Sequence, residues 1–258
     1  MLLAITREIS PTLADCQLEH LEREPIDVSR ARAQHRGYRD ALRELGAQVI
    51  SLPAAVDCPD GVFVEDPAIV LDEIAIVTRM GNLVRRAESE SLARAVAEYR
   101  GLKRIVDPGT LEGGDVMRVD RTLYVGLSRR TNREGIGQLA EIVAPYGYEV
   151  AAVPVTGCLH LKSAVCYLGD NKVLANRNWI DAAALSKFEI VDVPEERGAN
   201  VLRLGDTVLI PAAFPETAQT LRAAGFKTRE IDTSELLKAE AGVTCMSLLL
   251  AGPDSPPE

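Results

Sequence analysis

The chain lacks several things that would assign it quickly. No stretch of its 258 residues approaches the ~18 consecutive apolar residues of a membrane span. There are only three histidines, His20, His35 and His160, too dispersed for a metal centre on spacing alone. The five cysteines (Cys16, Cys58, Cys158, Cys166 and Cys245) are odd in number and scattered, with no CxxC and no His/Cys pair at structural-zinc spacing. Neither a G-x-G-x-x-G nor a P-loop motif is present. Positive charge is in deficit: 29 Lys and Arg face 38 Asp and Glu, for a net charge of −9. Nucleic acid and anionic membranes both require a basic face, so neither is expected as a partner. Dithiol redox, structural zinc and dinucleotide chemistry lose ground together, and no metal or cofactor is expected. Unpaired, scattered thiols point to the cytoplasm. The opening MLLAITREIS has no basic n-region and reads as a first buried strand. No Gly/Ser-rich or Pro-rich linker divides the chain, so residues 1–258 are expected to form one domain. Only the tail GPDSPPE reads as disordered.

What is present is ordinary globular composition, 47% hydrophobic and 26% charged, in a chain long enough to bury a core. Short apolar runs closed by Gly, Asp, Asn or Pro read as strands, among them 62–71, 163–168 and 244–250. Helical spacing recurs between them, as in 29–45, 87–99, 131–146, 180–187 and 216–224. The class is α/β. The order of elements also repeats: a polar residue, a strand, a Gly/Asp turn, a second strand, then a helix. FVEDPAIV-LDE-IAIVTR, LEGGDVMRV-DR-TLYVGLS, LHLKSAVCYL-GDN-KVLAN and ANVLRL-GD-TVLIPA each follow this plan. GVTCMSLLL begins a fifth unit, which the N-terminal strand would complete, closing a ring. The polar residues opening the units are Glu65, Glu112, His160, Asn200 and Cys245, spaced by 47, 48, 40 and 45. Around a common axis, these five become neighbours.

Such neighbours carry a definite chemistry. The thiolate is the reactive form of cysteine, and a nearby imidazolium or bound cation favours it. A carboxylate can orient the imidazole. Cys245, His160 and Glu112 supply those three parts. Glu65 and Asp66 open a buried strand and need a cation opposite them. A guanidinium, whose planar fork matches a carboxylate at two points, is the natural candidate. Taken singly, each residue has an ordinary reading. His160 would be a core histidine, Glu112 a turn cap, and Asp66 turn chemistry before Pro67. The pairs Arg85-Arg86 and Arg129-Arg130 would be solvated faces, and Lys162 a strand-edge charge. The joint spacing is what favours a site.

With these residues in place, the chain resembles the guanidino-modifying pentein superfamily, and within it the dimethylarginine dimethylaminohydrolase family. FVEDPAIV, VTRMGNLVRR, TLEGGDV, YVGLSRRTN, LHLKSAV and GVTCMSLLL carry the resemblance, in the family's order and over most of the chain. The resemblance implies a five-bladed propeller of ββαβ modules around a central channel. It implies Cys245 as nucleophile, His160 as general acid/base and Glu112 as its partner. Asp66 would be the main guanidinium ligand, with Glu65 beside it. Arg85 and Arg130 would hold the substrate α-carboxylate. Asp60 and Leu18 would contact the amino-acid end, Leu18 on a mobile lid. The substrate would be a small guanidino compound, and a homodimer stays open. Arginine deiminases and amidinotransferases are related alternatives. Leu161-Lys162 follows His160 where the deiminase pattern would have an aspartate, which favours a methylated arginine. A non-catalytic pentein would be expected to lose part of Cys245, His160 and Glu112, and all three are present. Met80 after Thr78-Arg79, and Met246 after Cys245, depart from the family pattern.

Overall fold

The computed structural model describes residues 2–251, and these form fifteen strands in five three-stranded sheets. Met1 and the tail, including the expected disordered GPDSPPE, lie outside the described residues. In the first unit, β1 (Leu2–Arg7) is followed by α1 (Val28–Glu44) and then by β2 (Ala47–Leu52), which runs parallel to β1. The second has an antiparallel pair, β3 (Ala68–Val70) and β4 (Ile74–Val77). Helix α2 (Glu88–Val96) then leads to β5 (Gly101–Arg104), parallel to β4. The third repeats this with β6 (Val116–Val119), β7 (Thr122–Leu127), α3 (Arg133–Val143) and β8 (Glu149–Pro154).

The fourth opens with a one-turn helix, α4 (Leu161–Ala164), ahead of β9 (Val165–Gly169), β10 (Lys172–Ala175) and β11 (Glu189–Asp192). The fifth contains β12 (Leu202–Leu204), β13 (Thr207–Pro211), α5 (Pro215–Ala223) and β14 (Lys227–Ile231). After the short α6 (Ser234–Leu237), β15 (Leu248–Ala251) pairs antiparallel with β1. The two ends of the described chain therefore share one unit, as the repeat predicts. Among the described residues, no helix is long and apolar enough to cross a membrane.

The middle strand of each unit explains why the apolar runs are so continuous. Alternate residues of a strand face opposite sides, and here both sides are buried. On β1, Leu3 and Ile5 pack towards the second unit, while Ala4 packs towards the fifth. On β7, Leu123 and Val125 meet the second unit and Tyr124 meets the fourth. On β13, Val208 and Ile210 meet the fourth and Leu209 meets the first. Five apolar clusters result, each joining one unit to the next, and the last joins Leu204, Leu209 and Ile231 to Ala4, Ala31 and Tyr38. The tight hairpins use residues that tolerate left-handed backbone: Asp120 (φ 52°), Asp170 (φ 51°), Asn171 (φ 60°) and Gly205 (φ 59°).

Local differences from the sequence reading have physical causes. β5, β11 and β14 carry no strong sequence signal, because each is the outer strand of its sheet and largely exposed. The expected helix at 180–187 reduces to a single 3-10 turn at Ala182–Leu185. The runs at 62–71, 163–168 and 244–250 start as turns and become strand only at Ala68, Val165 and Leu248. Those turns aim the polar opening residues.

Helix α1 reaches the last of these turns directly. The buried Tyr38 hydroxyl donates to the Val243 carbonyl (2.8 Å) and sits 2.7 Å from Ser247 Oγ, bracketing Cys245. Tyr38→Phe leaves both partners unsatisfied and should cost about 1–3 kcal/mol, measured by urea unfolding monitored by fluorescence.

Candidate active site

Glu112, His160 and Cys245 occupy related places in three units. Glu112 is the extended residue before the 3-10 turn Gly113–Asp115, and His160 is the extended residue before α4. Cys245 lies within the 3-10 turn Thr244–Met246. In each case the chain turns once and then enters the first strand of a hairpin or the strand that pairs with β1. Glu112 and His160 are left at the start of their turns, and Cys245 in the middle of its own.

The glycines of LEGGDV allow the turns to meet. A Cβ on Gly113 would lie 2.0 Å from the Glu65 carbonyl oxygen. A Cβ on Gly114 would lie 2.6 Å from His160 Nδ1 and 2.7 Å from Asp66 Oδ1. Backbone contact replaces them: Gly113 N–H donates to the Asp66 carbonyl (2.9 Å) and Gly114 N–H to Asp66 Oδ1 (3.1 Å). His160 Nε2 is 2.8 Å from Glu112 Oε2, and His160 Nδ1 is 3.8 Å from Asp66 Oδ1. Glu112 Oε1 accepts the Gly81 and Asn82 N–H groups (3.0 and 3.3 Å), and Arg130 Nη1 donates to both its oxygens (3.3 Å).

Burial would strip charge from both partners, but the pairing reverses this. For His160, the Asp66 charge, the Glu112 hydrogen bond and the Asp115 charge outweigh burial and carry the pKa up to about 9. For Glu112, the hydrogen bond and charge of His160, with Arg85 and Arg130, outweigh burial and hold the carboxyl well below its usual range. The resting pair is imidazolium and carboxylate. Ligand atoms of Asp66, Glu112 and His160 lie within 4.8 Å of one another, a spacing that could hold a metal ion. Guanidinium groups already serve two of the three: Arg85 Nη1 donates to Asp66 Oδ2 (2.8 Å), and Arg130 serves Glu112.

Cys245 is partly buried and accepts the Gly242 N–H at its sulfur (3.3 Å). Burial, and the charges of Glu65 and Asp66, push its thiol up. Both effects favour the protonated form of the sulfur. The Glu65 N–H donates to the Cys245 carbonyl (3.2 Å), which joins the second unit to the Cys245 turn. Glu65 itself is occupied: Lys162 Nζ donates to Oε1 (2.5 Å) and Thr244 Oγ1 to Oε2 (2.7 Å).

The remaining expected residues gather on the side of the 16–27 segment. Arg85 is buried, with Nε and Nη2 on Glu88 at 3.1 and 2.9 Å. Asp60 accepts the Gln17 N–H (3.1 Å), and burial raises its pKa although Arg85 and Arg130 stand near. Leu18 packs on the same apolar cluster as Cys245. The segment carries no regular structure, and it is clasped from both sides. Glu19 Oε1 accepts from Arg130 Nε (2.6 Å). Glu240 Oε1 accepts the Glu19, His20 and Leu21 N–H groups at 3.0, 2.6 and 2.7 Å.

With this geometry in view, the comparisons are informative. A family model described as N,N dimethylarginine dimethylhydrolase, eukaryotic, matches residues 15–246. The N(G),N(G)-dimethylarginine dimethylaminohydrolase of Streptomyces coelicolor is 41% identical over 249 residues, 96% of each chain. The chain belongs to the dimethylarginine dimethylaminohydrolase family. Among solved members, the Pseudomonas aeruginosa enzyme, a cysteine-to-serine mutant complexed with citrulline, matches with a TM-score of 0.89 at 33% identity. That match covers 96% of this chain and 98% of that one. A histidine-to-glycine variant of a dimethylarginine dimethylaminohydrolase, an adduct with S-methyl-L-thiocitrulline, matches with a TM-score of 0.91 at 34% identity. It covers 97% and 100% of the two chains.

Within this member of the family, some site residues carry little sequence signal. Asp115 sits in GGD, which reads as turn chemistry. It is fully buried and accepts from Ser128 Oγ and Thr131 Oγ1 (both 2.7 Å) and from the Leu161 N–H (2.9 Å). It thereby fixes the backbone that follows His160. Glu19 and Glu240 lie in polar stretches with no pattern to mark them.

The raised His160 pKa sets a stability test. A basic group whose pKa rises on folding stabilises fully below its unfolded value, near 6.5, and loses this as pH rises through about 9. The stability difference between wild type and His160→Gln should therefore shrink between those limits in urea titrations at stepped pH. A constant difference would mean a neutral imidazole throughout. The Glu240 contacts set a second test. Glu240→Ala removes a charged acceptor of three amides, and cleavage by trypsin after Arg23 should accelerate about tenfold, as one or two charge-assisted hydrogen bonds would dictate. An unchanged rate would mean that other contacts hold the segment.

Proposed function

We propose that the protein is a cysteine hydrolase of N-methylated arginine, releasing citrulline with dimethylamine or methylamine. The observation that carries this reading is the buried His160–Glu112 pair beside Asp66, in a family whose solved members hold citrulline or a thiocitrulline adduct. Residues 1–258 act as one catalytic domain, a five-bladed ββαβ propeller closed around a channel. Support for closure comes from a cavity of about 620 Å³ lined by residues of β3, β6, β9, β12 and β15, the first strand of every unit. The reduced state of all five cysteines supports a cytoplasmic setting.

In this reading the substrate guanidinium docks on Asp66, with Glu65 behind it. Its charge offsets the two carboxylates that, with burial, keep the Cys245 thiol protonated, and the thiol gives its proton up to solvent on binding. The thiolate attacks the central guanidinium carbon. The His160 imidazolium, already charged, donates its proton to the departing dialkylamine. A covalent S-alkylthiouronium remains on Cys245. His160, now neutral, takes a proton from water, and the resulting hydroxide adds to the same carbon. As the adduct collapses the sulfur leaves, the hydroxyl proton returns it to the thiol, and citrulline is released. Glu112 keeps the imidazole oriented and stabilises its charge through both steps. Arg130 and Arg85 hold the α-carboxylate, and the Glu19 carboxylate already on Arg130 occupies the kind of position that group would take. Asp60 and Leu18 meet the amino-acid end.

Lys162 supports the methylated branch. Where a second guanidinium-binding acid would follow His160, the chain places a lysine that is spent on Glu65. Citrulline release from Nω,Nω-dimethylarginine, beside arginine and a Cys245→Ser control, tests the reading. We expect turnover of the dimethylated substrate over arginine, and none in the control. Turnover of arginine alone would keep the chemistry and assign a deiminase. Release of no citrulline with transfer of the amidino group to an added amine would assign a transferase.

A further inference from the structure

Asn200 opens the fifth unit and takes no part in the mechanism above, yet it is buried beside the nucleophile turn. Its Oδ1 accepts the Thr244 N–H (3.1 Å). Its Nδ2 donates to Thr244 Oγ1 (3.1 Å) and to the Lys162 carbonyl (2.9 Å). The side chain also lies flush against Gly242, where a Cβ would come within 2.1 Å of the Asn200 amide carbon. Gly242 is the residue whose N–H reaches the Cys245 sulfur.

These contacts close a circuit. Asn200 donates to the Thr244 hydroxyl, which donates to Glu65 Oε2. Glu65 Oε1 accepts from Lys162, and the Lys162 carbonyl accepts from Asn200. One residue comes from each of four units. The donor directions are fixed. Glu65 as a carboxylate only accepts, so the Thr244 hydroxyl proton points to it and its lone pair must be met by a donor. Lys162 offers a carbonyl, which also needs a donor. Only a side chain with two N–H donors and an acceptor serves all three contacts, and Asn200 is an amide.

We propose that Asn200 is a positioning residue that sets the Cys245 turn, one residue from its Thr244 contact, against the His160 segment, two residues from its Lys162 contact. The inference rests on the reading of Cys245 as nucleophile and His160 as acid/base. Asn200 touches no reacting atom, so its loss should alter the approach of sulfur to carbon and leave substrate contacts in place. A displacement near 1 Å can cost about 10²-fold in rate.

The test compares Asn200→Ala, Thr244→Val and Thr244→Ser with wild type. Two readouts are used: steady-state hydrolysis of dimethylarginine, and alkylation of Cys245 by a cationic haloacetamidine beside neutral iodoacetamide. Asn200→Ala and Thr244→Val should each lower kcat about 10- to 100-fold with KM within about threefold. Both should slow the haloacetamidine reaction more than the iodoacetamide reaction. Thr244→Ser, which keeps the hydroxyl, should restore kcat. The double variant should lose no more than the worse single one, since both break one circuit. A kcat within twofold of wild type in both single variants, additive losses, or an effect confined to KM would overturn the proposal. If Asn200→Ala fails to fold, Thr244→Val decides alone. Wild-type inactivity on dimethylarginine would overturn the functional reading instead, and the alkylation ratios would still decide the role of Asn200.

Discussion

Glu112 is fully buried, and its carboxylate accepts from an imidazole, an arginine and two backbone amides. A buried charge is tolerated only when so many partners surround it, and removing one leaves the rest in deficit. Each partner belongs to a different part of the chain. His160 brings the fourth unit. Gly81 and Asn82 bring the loop that leads to Arg85. Arg130 brings the third unit and, through Glu19, the segment that covers the site. A single carboxylate therefore holds His160, the loop at Gly81 and Asn82, and the Glu19 segment in a common frame. The same demand explains the glycines around it, because a side chain at Gly114 would stand between His160 and Asp66.

The charge arrangement then separates two tasks. Around His160 the Asp66 charge, the Glu112 hydrogen bond and the Asp115 charge hold a proton against the pull of burial. At Cys245 burial comes first and the charges of Glu65 and Asp66 add to it, so the thiol form is favoured. On the proposed mechanism a guanidinium docked on Asp66 offsets that opposition to the thiolate, and the Glu112 hydrogen bond remains to hold the proton on His160. In the proposed reaction the nucleophile is thus generated by its own substrate, and no hydrogen bond from His160 to the sulfur is required beforehand. The overall charge of −9 acts in the same direction, drawing a cation towards the protein.

How much of this could be read from the sequence depended on burial. β1, β4, β7, β10 and β13 are covered on both faces, so their apolar runs are plain and the repeat follows from them. β5, β11 and β14 have one face in water and blend into loops. Glu65, Glu112, His160 and Cys245 stood out because each interrupts an apolar setting at a regular interval. Asp115 did not, since an aspartate after two glycines is ordinary turn chemistry, and only the fold reveals the two hydroxyls and the amide that converge on it. Glu19 and Glu240 were illegible for a different reason. Their partners are 111 and 221 residues away in the chain, and exposed polar stretches carry no period to link them.

Distance along the chain also says when the site is made. The Cys245 turn is held by Thr244 to Glu65 across 179 residues and by Tyr38 to Ser247 across 209. Its strand, β15, pairs with β1 from the opposite end of the described chain. Closing loops of that length carries an entropic cost, so these pairings depend on the units they join being in place. The circuit of Asn200, Thr244, Glu65 and Lys162 needs four units in place at once. Cys245 consequently acquires its neighbours only when the first and fifth units meet. A chain that has formed its hairpins but not this junction would hold a complete His160–Glu112 pair and an unplaced thiol. Reactivity at Cys245 is for that reason a readout of the assembled fold as well as of the proposed chemistry.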